Sequence, residues 1–517
     1  MVLNAFCTCL RIWLDSLIDF MFGLFWEGQR RPIPDLDIRH HVLTESAVAL
    51  AAKIRNKELK SVDLVAACIE RIQIVNPIVN AVTDERFEAA LNDAREVDAL
   101  IAEGQSKDYF DKRPFLGVPF TVKECAAVKG MLCTLGLVSR RHIRANEDSE
   151  SVRLLRLAGA IPVAVSNIPE ALIWQETRNN IYGQTNNPHH TGRTTGGSSG
   201  GEGALCSAIA SPITLCSDIG GSTRMPAFYC GLYALNPTAG YTNVRGLALR
   251  TGEEPTMAAV SFVSKHCEDL APLTKIVAGN MAGQLGFDRT VDLKNINVYY
   301  VEMTQDPHVS PISQELRQAM RKAMEKLSEV NSSSPTQYYH EGYNHMFTLW
   351  KYGMSKEPEK FRRLVKGFKG EANGFIELAK KLVGQSEHTL AAILKMLDDH
   401  ILPLPDEKWA ESLIDQMKTD LVSTLGTDGV LLFPSASHVA PHHYSLLLRP
   451  FQASHWGIFN VLKLPVAQVP LGLNKDGLPL GIQVVAAPLQ ESLCLAVADY
   501  LGKQLGGYIP PCKIQHS

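Results

Sequence analysis

The sequence predicts an α/β protein built around a mixed sheet, and three observations lead there. Apolar runs at residues 115–122, 161–165, 430–433, 466–471 and 481–485 have the length and continuity of strands buried on both faces. Between them lie segments with apolar residues at helical spacing, which argues against a helical bundle and against an all-β sandwich. Of 517 residues, 45% are hydrophobic, 20% charged and 7% aromatic, the proportions of a globular chain with a large core. Length alone suggests about three domains, but no internal repeat marks their boundaries.

The first 26 residues are the most apolar stretch, carrying Phe6, Trp13, Leu17, Phe20, Leu24 and Phe25 among others. Arg11, Asp15 and Asp19 recur every four residues, and Asn4 and Thr8 continue the same line, so the segment has one polar stripe. It has no basic leader and no small-residue cleavage site, which disfavours a cleaved signal peptide. Three charges near its middle are expensive at a bilayer centre. Residues 1–30 therefore read as an amphipathic helix lying on a membrane with its charges in water. The alternative is a helix whose apolar face packs on the protein body or on a second subunit. Arg30, Arg31, Pro32 and Pro34 end the segment.

From residue 44 the spacing is helical, with Ser61 placed to cap a helix through Leu64, Ala67, Cys68 and Ile72 and Pro77 placed to stop it. Another helical stretch spans residues 86–101. Residues 312–425 are nearly all helical in pattern and read as an insertion, not a separate domain. Within them, residues 375–402 hold a dense apolar set that fits the packing of two helices or, more pointedly, an apolar lip beside a substrate entrance. Residues 513–517 carry no retention or peroxisomal address, and Cys512 is too far from the end for prenylation.

Lys and Arg total 51 against 54 for Asp and Glu, a net charge of -3, so no global field draws in nucleic acid. The 11 cysteines, from Cys7 to Cys512, include no C-x-x-C pair and read as reduced thiols in a cytosol-facing body. The sequon Asn331-Ser332-Ser333 is no more than chance supplies. His438, His442, His443 and His455 raise the question of a metal site, but Pro441 interrupts the pattern and no nearby acid completes it. No metal and no cofactor is expected.

Between Gly192 and Gly221 lie 8 of the 38 glycines, where average usage would give about two. Glycine at that density marks backbone that must turn sharply or approach a ligand closely. A phosphate-cradling loop needs a lysine, and none occurs between Lys129 and Lys265. What remains is serine chemistry: Gly196-Gly197-Ser198-Ser199-Gly200-Gly201-Glu202-Gly203, then Asp218-Ile219-Gly220-Gly221-Ser222-Thr223-Arg224. A nucleophilic serine needs a base and a cluster of N–H donors for the oxyanion. The turn at Ile219, Gly220, Gly221 and Ser222 offers the donors. No histidine lies between Arg193 and Lys265, so the base is sought in Lys123, which closes the apolar run 114–122. A lysine held neutral by burial can act so; taken alone, Lys123 also fits a strand end in solvent.

Together these segments resemble the amidase signature family of serine hydrolases: G-V-P-F-T-V-K-E around Lys123, G-G-S-S-G-G-E-G around Ser198 and D-I-G-G-S-T-R around Ser222, with 24 residues between the two serines. The resemblance runs over residues 43–508. It extends to the membrane-associated fatty-acid amide hydrolases through Gly183-Gln184-Thr185-Asn186-Asn187-Pro188, Arg224-Met225-Pro226-Ala227-Phe228 and Gly477-Leu478-Pro479-Leu480-Gly481-Ile482-Gln483-Val484-Val485. Thr223, where isoleucine is usual, and Thr194-Thr195 before Gly196 depart from the family pattern.

The resemblance implies a single domain with a large twisted mixed sheet covered by helices, preceded by the apolar helix. It implies Ser222 as nucleophile, Ser198 as a bridging serine after a cis peptide, Lys123 as base, and Ile219, Gly220, Gly221 and Ser222 around the oxyanion. Asp218 and Arg224 bracket that turn and are expected to support it. The implied activity is hydrolysis of a lipophilic fatty-acid amide by a membrane-associated enzyme, with a homodimer left open. An amidase for small polar amides, an amidotransferase subunit and a non-catalytic scaffold are the alternatives.

Overall fold

The computed structural model describes residues 2–515, with side chains from Thr8 onward. Eleven strands among the described residues join in one sheet. They are β1 (Val82–Glu85), β2 (Pro119–Lys123), β3 (Ile161–Ser166), β4 (Ile213–Asp218), β5 (Tyr233–Asn236) and β6 (Ala259–Ser264), then β7 (Asn297–Tyr300), β8 (Thr336–Gln337), β9 (Gly429–Pro434), β10 (Val466–Leu473) and β11 (Pro479–Ala486). Their spatial order is β1-β3-β2-β4-β6-β5-β10-β11-β9-β7-β8. β2 runs parallel to β3 and β4, and β7 parallel to β8 and β9, while the other neighbours are antiparallel. Every residue of β2, β3, β4 and β9 is buried, so helices cover both faces of the sheet at these strands. All five apolar runs contain a strand, although in the first the strand begins only at Pro119, after a turn through residues 114–117.

Two local expectations are corrected. Helix α2 (Ser61–Val79) begins at Ser61, but that hydroxyl donates to the Gly117 carbonyl at 2.8 Å. The carboxylate of Asp98, on α3 (Phe87–Glu103), takes the first N–H groups instead, from Ser61 at 2.7 Å and Val62 at 3.0 Å. Pro77 does not stop α2 but sits in its last turn. The end falls where Asn80 turns left-handed, and the Asn76 side chain accepts from the N–H groups of Ala81 and Val82 at 2.8 and 2.9 Å.

Helices α4 (Gly200–Ser207) and α5 (Arg224–Cys230) each follow one of the glycine turns. The predominantly helical segment holds α6 (Gln314–Val330), α7 (Met346–Lys356), α8 (Gly374–Leu382), α9 (Leu390–Ile401) and α10 (Glu407–Leu425). It connects the parallel neighbours β7 and β9, which explains its length: parallel strands cannot be joined by a tight turn. Within residues 375–402, Ile393 and Met396 pack inward, whereas Phe375, Ile376 and Leu382 stay exposed. Beyond this segment, α11 (Ser454–Leu462) is buried along its whole length.

The N-terminal helix α1 (Val2–Trp26) sits on the body the opposite way round from an ordinary surface helix. The two carboxylates of its polar stripe reach toward the body. Asp15 is only 2% exposed, 3.7 Å from both Arg11 and His438, and Asp19 pairs with the buried Arg449. Just beyond the helix, Glu27 meets His442 and Arg193 at 2.8 Å and His190 at 2.9 Å. Trp26 stacks on Tyr444. The outward side carries Trp13, Phe20, Leu24 at 71% and Phe25 at 73% exposed. The expectation that the charges lie in water is corrected for Asp15 alone, since the Arg11 and Asp19 side chains keep 33% and 41% of their surface exposed, and the apolar side does not pack on the body of this chain. The physical reason is that the body supplies cationic partners, so the stripe is neutralised by protein. The side chains of Asn4 and Phe6 and residues His516 and Ser517 lie outside the described residues. Among the described residues no helix is long and apolar enough to cross a membrane.

Candidate active site

Because β2 and β4 are parallel neighbours, their C-terminal ends leave the sheet at the same edge. β2 ends in Lys123 and β4 in Asp218, directly before the second glycine turn. A segment of distant sequence is thereby set beside Lys123 by strand pairing alone. The lysine is fully buried, and its Nζ has three oxygens within reach: Ser198 Oγ at 2.8 Å, Ser217 Oγ at 3.0 Å and the Ser217 carbonyl at 3.1 Å. Burial pushes the lysine below its ordinary range, against the opposing influence of Cys125, Cys216, Asp218 and Glu202. A neutral amine has two N–H groups and one lone pair. With both Ser217 oxygens taking the N–H groups, the lone pair is left for the Ser198 hydroxyl.

Ser198 follows a cis peptide bond from Gly197. Its loop is fixed from both sides: the Thr177 hydroxyl donates to the Gly196 carbonyl at 2.9 Å and accepts from Gly200 N–H at 3.1 Å. The Ser199 N–H donates to the Ser222 carbonyl at 3.0 Å, joining the two serine loops through backbone.

The Ser222 turn is held by Asp218. Its carboxylate accepts from the N–H groups of Gly221 at 2.7 Å, Thr223 at 3.1 Å and Arg224 at 3.3 Å, from the Arg224 guanidinium at 3.0 and 3.1 Å, and from Asn460 at 3.0 Å. Arg224 donates in turn to Gln483 at 2.8 Å and Asn460 at 2.6 Å. Burial alone would raise Asp218, but Arg224 and these donors bring it down to about 2. Gly221 has φ +102 and lies so close to Trp456 that a Cβ would stand 2.3 Å from that side chain, which is why glycine is required here. Its N–H belongs to Asp218. The N–H groups of Ile219, Gly220 and Ser222 make no hydrogen bond to another described residue.

Lys123, Ser198, Ser217, Ile219 and Ser222 line one cavity of about 670 Å³. Its outer wall comes from the helical segment and mixes apolar groups, Met354 of α7, Phe361, Leu364 and the stretch Leu402, Pro403, Leu404 and Pro405 between α9 and α10, with charged ones such as Lys356, Glu359, Arg362, Lys395 and Asp399. Two further acids stand near the base. Glu202 accepts from Thr121 at 2.6 Å and is pushed by burial up to about 8, so at neutral pH it is mostly uncharged. Glu124 accepts from the Thr134 hydroxyl at 2.5 Å and Leu135 N–H at 2.9 Å and is raised by burial to about 7.

Of the residues singled out for catalysis, Lys123, Ser198, Asp218, Ile219 and Ser222 line the cavity, Gly220 and Gly221 belong to the turn without lining it, and Arg224 lies behind the turn against Asp218. The four histidines do not gather: His442 meets Glu27, His438 lies near Asp15, His443 reaches the Thr191 carbonyl at 3.1 Å and His455 reaches Thr304 at 3.3 Å. Sequence reasoning missed Ser217, Glu202, Asn460 and Gln483. Glu202 lies inside the quoted motif at residues 196–203 and could have been found there, and Ser217 directly precedes the second motif. Gln483 lies in the quoted stretch 477–485 but was given no role there, and Asn460 arrives from a distant segment that carries no local signal.

The family model described as Amidase matches residues 63–495. Fatty-acid amide hydrolase 2 of Homo sapiens is 39% identical over 531 residues, covering 98% of this chain and 99% of that protein. Fatty-acid amide hydrolase 2-A of Danio rerio is 39% identical over 503 residues, covering 95% and 94%. A solved structure of fatty acid amide hydrolase shares the fold, with a TM-score of 0.72 at 20% identity over 92% of this chain and 87% of that one. The fold and these relatives define an amide-hydrolysing serine enzyme. The chain belongs to the amidase family.

Proposed function

We propose that this amidase hydrolyses fatty-acid amides to a free fatty acid and an amine, with Ser222 as nucleophile, Ser198 as proton bridge and Lys123 as base. The observation that carries the reading is the 2.8 Å contact between a buried Lys123 and Ser198 at the wall of the cavity that Ser222 also lines. The chemistry follows from the atoms. Ser222 Oγ attacks the amide carbonyl carbon while its proton passes through Ser198 to the lone pair of Lys123. The carbonyl oxygen becomes an oxyanion beside the N–H groups of Ile219, Gly220 and Ser222, the Gly221 N–H expected to join them being held by Asp218. Collapse breaks the C–N bond, and the proton on Lys123 returns through Ser198 to the leaving nitrogen. Water then attacks the acyl-enzyme by the same relay, releasing the acid and restoring Ser222. Asp218 and Arg224 keep the turn in place.

The names of the curated relatives and the apolar stretch 402–405 at the cavity support a lipophilic acyl group. We read residues 1–30 as a membrane-associating segment, 43–508 as the amidase domain and 312–425 as an insertion that roofs the site. The outward apolar side of α1 supports a membrane surface as partner, and the ten described cysteines, all free thiols, support a cytosolic body. A second copy of the chain is the competing partner for the same side. Rates measured across an acyl-chain series test the substrate class: the reading predicts faster turnover of long chains than of short polar amides, and the reverse order would favour a small-amide enzyme.

A further inference from the structure

We infer that Trp350, on α7 of the helical segment, is a positioning residue that orients an oxyanion donor in the Ser222 turn. Its indole N–H donates to the Ile219 carbonyl at 3.2 Å. In a trans peptide the carbonyl of one residue and the N–H of the next point in opposite directions. Fixing the Ile219 carbonyl toward Trp350 therefore turns the Gly220 N–H away from it. Trp350 does not reach the cavity, whereas Ile219 and Ser222 line it. The Gly220 N–H, turned away from the indole, has no hydrogen-bond partner among the described residues, and its neighbours Ile219 and Ser222 face the cavity in which an amide carbonyl would sit.

The packing around the indole is close enough to hold this orientation. A Cβ at Gly220 would stand 2.6 Å from Trp350 Nε1, and a Cβ at Gly457 of α11 would stand 2.7 Å from Trp350 Cδ1. The ring is wedged between the catalytic turn and a buried helix of the body. With Trp456 under Gly221, two tryptophans from outside the glycine-serine motifs bracket the turn. The helical segment thus reaches the catalytic machinery as well as roofing it.

The inference rests on the catalytic reading above and is tested with Trp350→Phe, which keeps a ring in the wedge and removes the N–H. With a short soluble amide, kcat should fall by about tenfold or more, since losing an oxyanion donor outright costs ~10²–10³ and here the donor is misoriented, not deleted. KM should stay within about twofold, and affinity for an oxyanion-mimicking trifluoromethyl ketone should fall in step with kcat. Gly220→Ala, which displaces the indole from the other side, should act in the same direction. A merely structural role would lower the melting temperature and leave the kcat of the folded fraction, measured by active-site titration, unchanged. That outcome, or a rise in KM alone, overturns the inference. Activity retained in Ser222→Ala would instead overturn the catalytic reading, so the two failures are separable.

Discussion

Lys123 Nζ lies 2.8 Å from Ser198 Oγ, at the end of a strand buried throughout its length. This pairing depends on β2 and β4 being parallel neighbours, because only then do the base and the turn that follows β4 share an edge of the sheet. The first prediction follows from it. Lys123→Ala should lower kcat by at least ~10³, since it removes the base and leaves the oxyanion donors. In the wild type the rate should rise with pH as Lys123 loses its proton. A variant with near wild-type activity, or a flat wild-type profile, would place the base elsewhere.

Glu202 tunes that profile. Its carboxylate, once formed, favours the proton on Lys123, so Glu202→Gln should lower the lysine further and move the acid limb to lower pH. Thr121 can still donate to the amide oxygen, which limits structural loss. A limb moved to higher pH, measured in kcat/KM, would contradict this.

The Asp218–Arg224 pair is fully buried, so removing one partner leaves the other charged and uncompensated. Asp218→Asn should cost ~3–5 kcal/mol in denaturant unfolding at pH 7 and abolish most activity by loosening the turn. The sign with pH is fixed. A carboxyl drawn from 3.8 down to about 2 contributes stability above its unfolded value and loses it as pH falls through the folded one. The stability gap between wild type and variant should therefore narrow below pH 3.8.

The inverted seating of α1 allows its apolar side to be altered without breaking its ion pairs. Trp13→Ser, Phe20→Ser and Phe25→Ser combined should weaken vesicle binding by about a thousandfold or more, at ~1.5–3 kcal/mol per large apolar side chain withdrawn from water. Hydrolysis of a short soluble amide should be unchanged, and turnover of long-chain amides in vesicles should fall. Unchanged sedimentation with vesicles would shift the attachment to Phe375, Ile376 and Leu382. A shift from dimer to monomer in ultracentrifugation would assign the face to a second copy.

The sheet was legible because its main strands are continuous apolar runs, and the serine turns were legible because glycine density and motif spacing are local signals. Short strands such as β1 and β7 lack such a run. The direction of α1 was not readable, since an amphipathic pattern fixes which residues share a face but not which face the body attracts. Here Arg449 and His438, more than 400 residues away in the chain, decided it. Asn460, Gln483 and Trp350 reach the Ser222 turn only through tertiary packing, so no window of sequence contains them and their target together.

The most direct test of the account is to map the adduct of a fluorophosphonate probe on the full-length protein by peptide mass spectrometry, in the wild type and in Ser222→Ala. The account predicts a single adduct on Ser222 in the wild type, slowed labelling in Lys123→Ala and none in Ser222→Ala. An adduct on Ser198, Ser199 or Ser217, or labelling and hydrolysis that persist in Ser222→Ala, would contradict it.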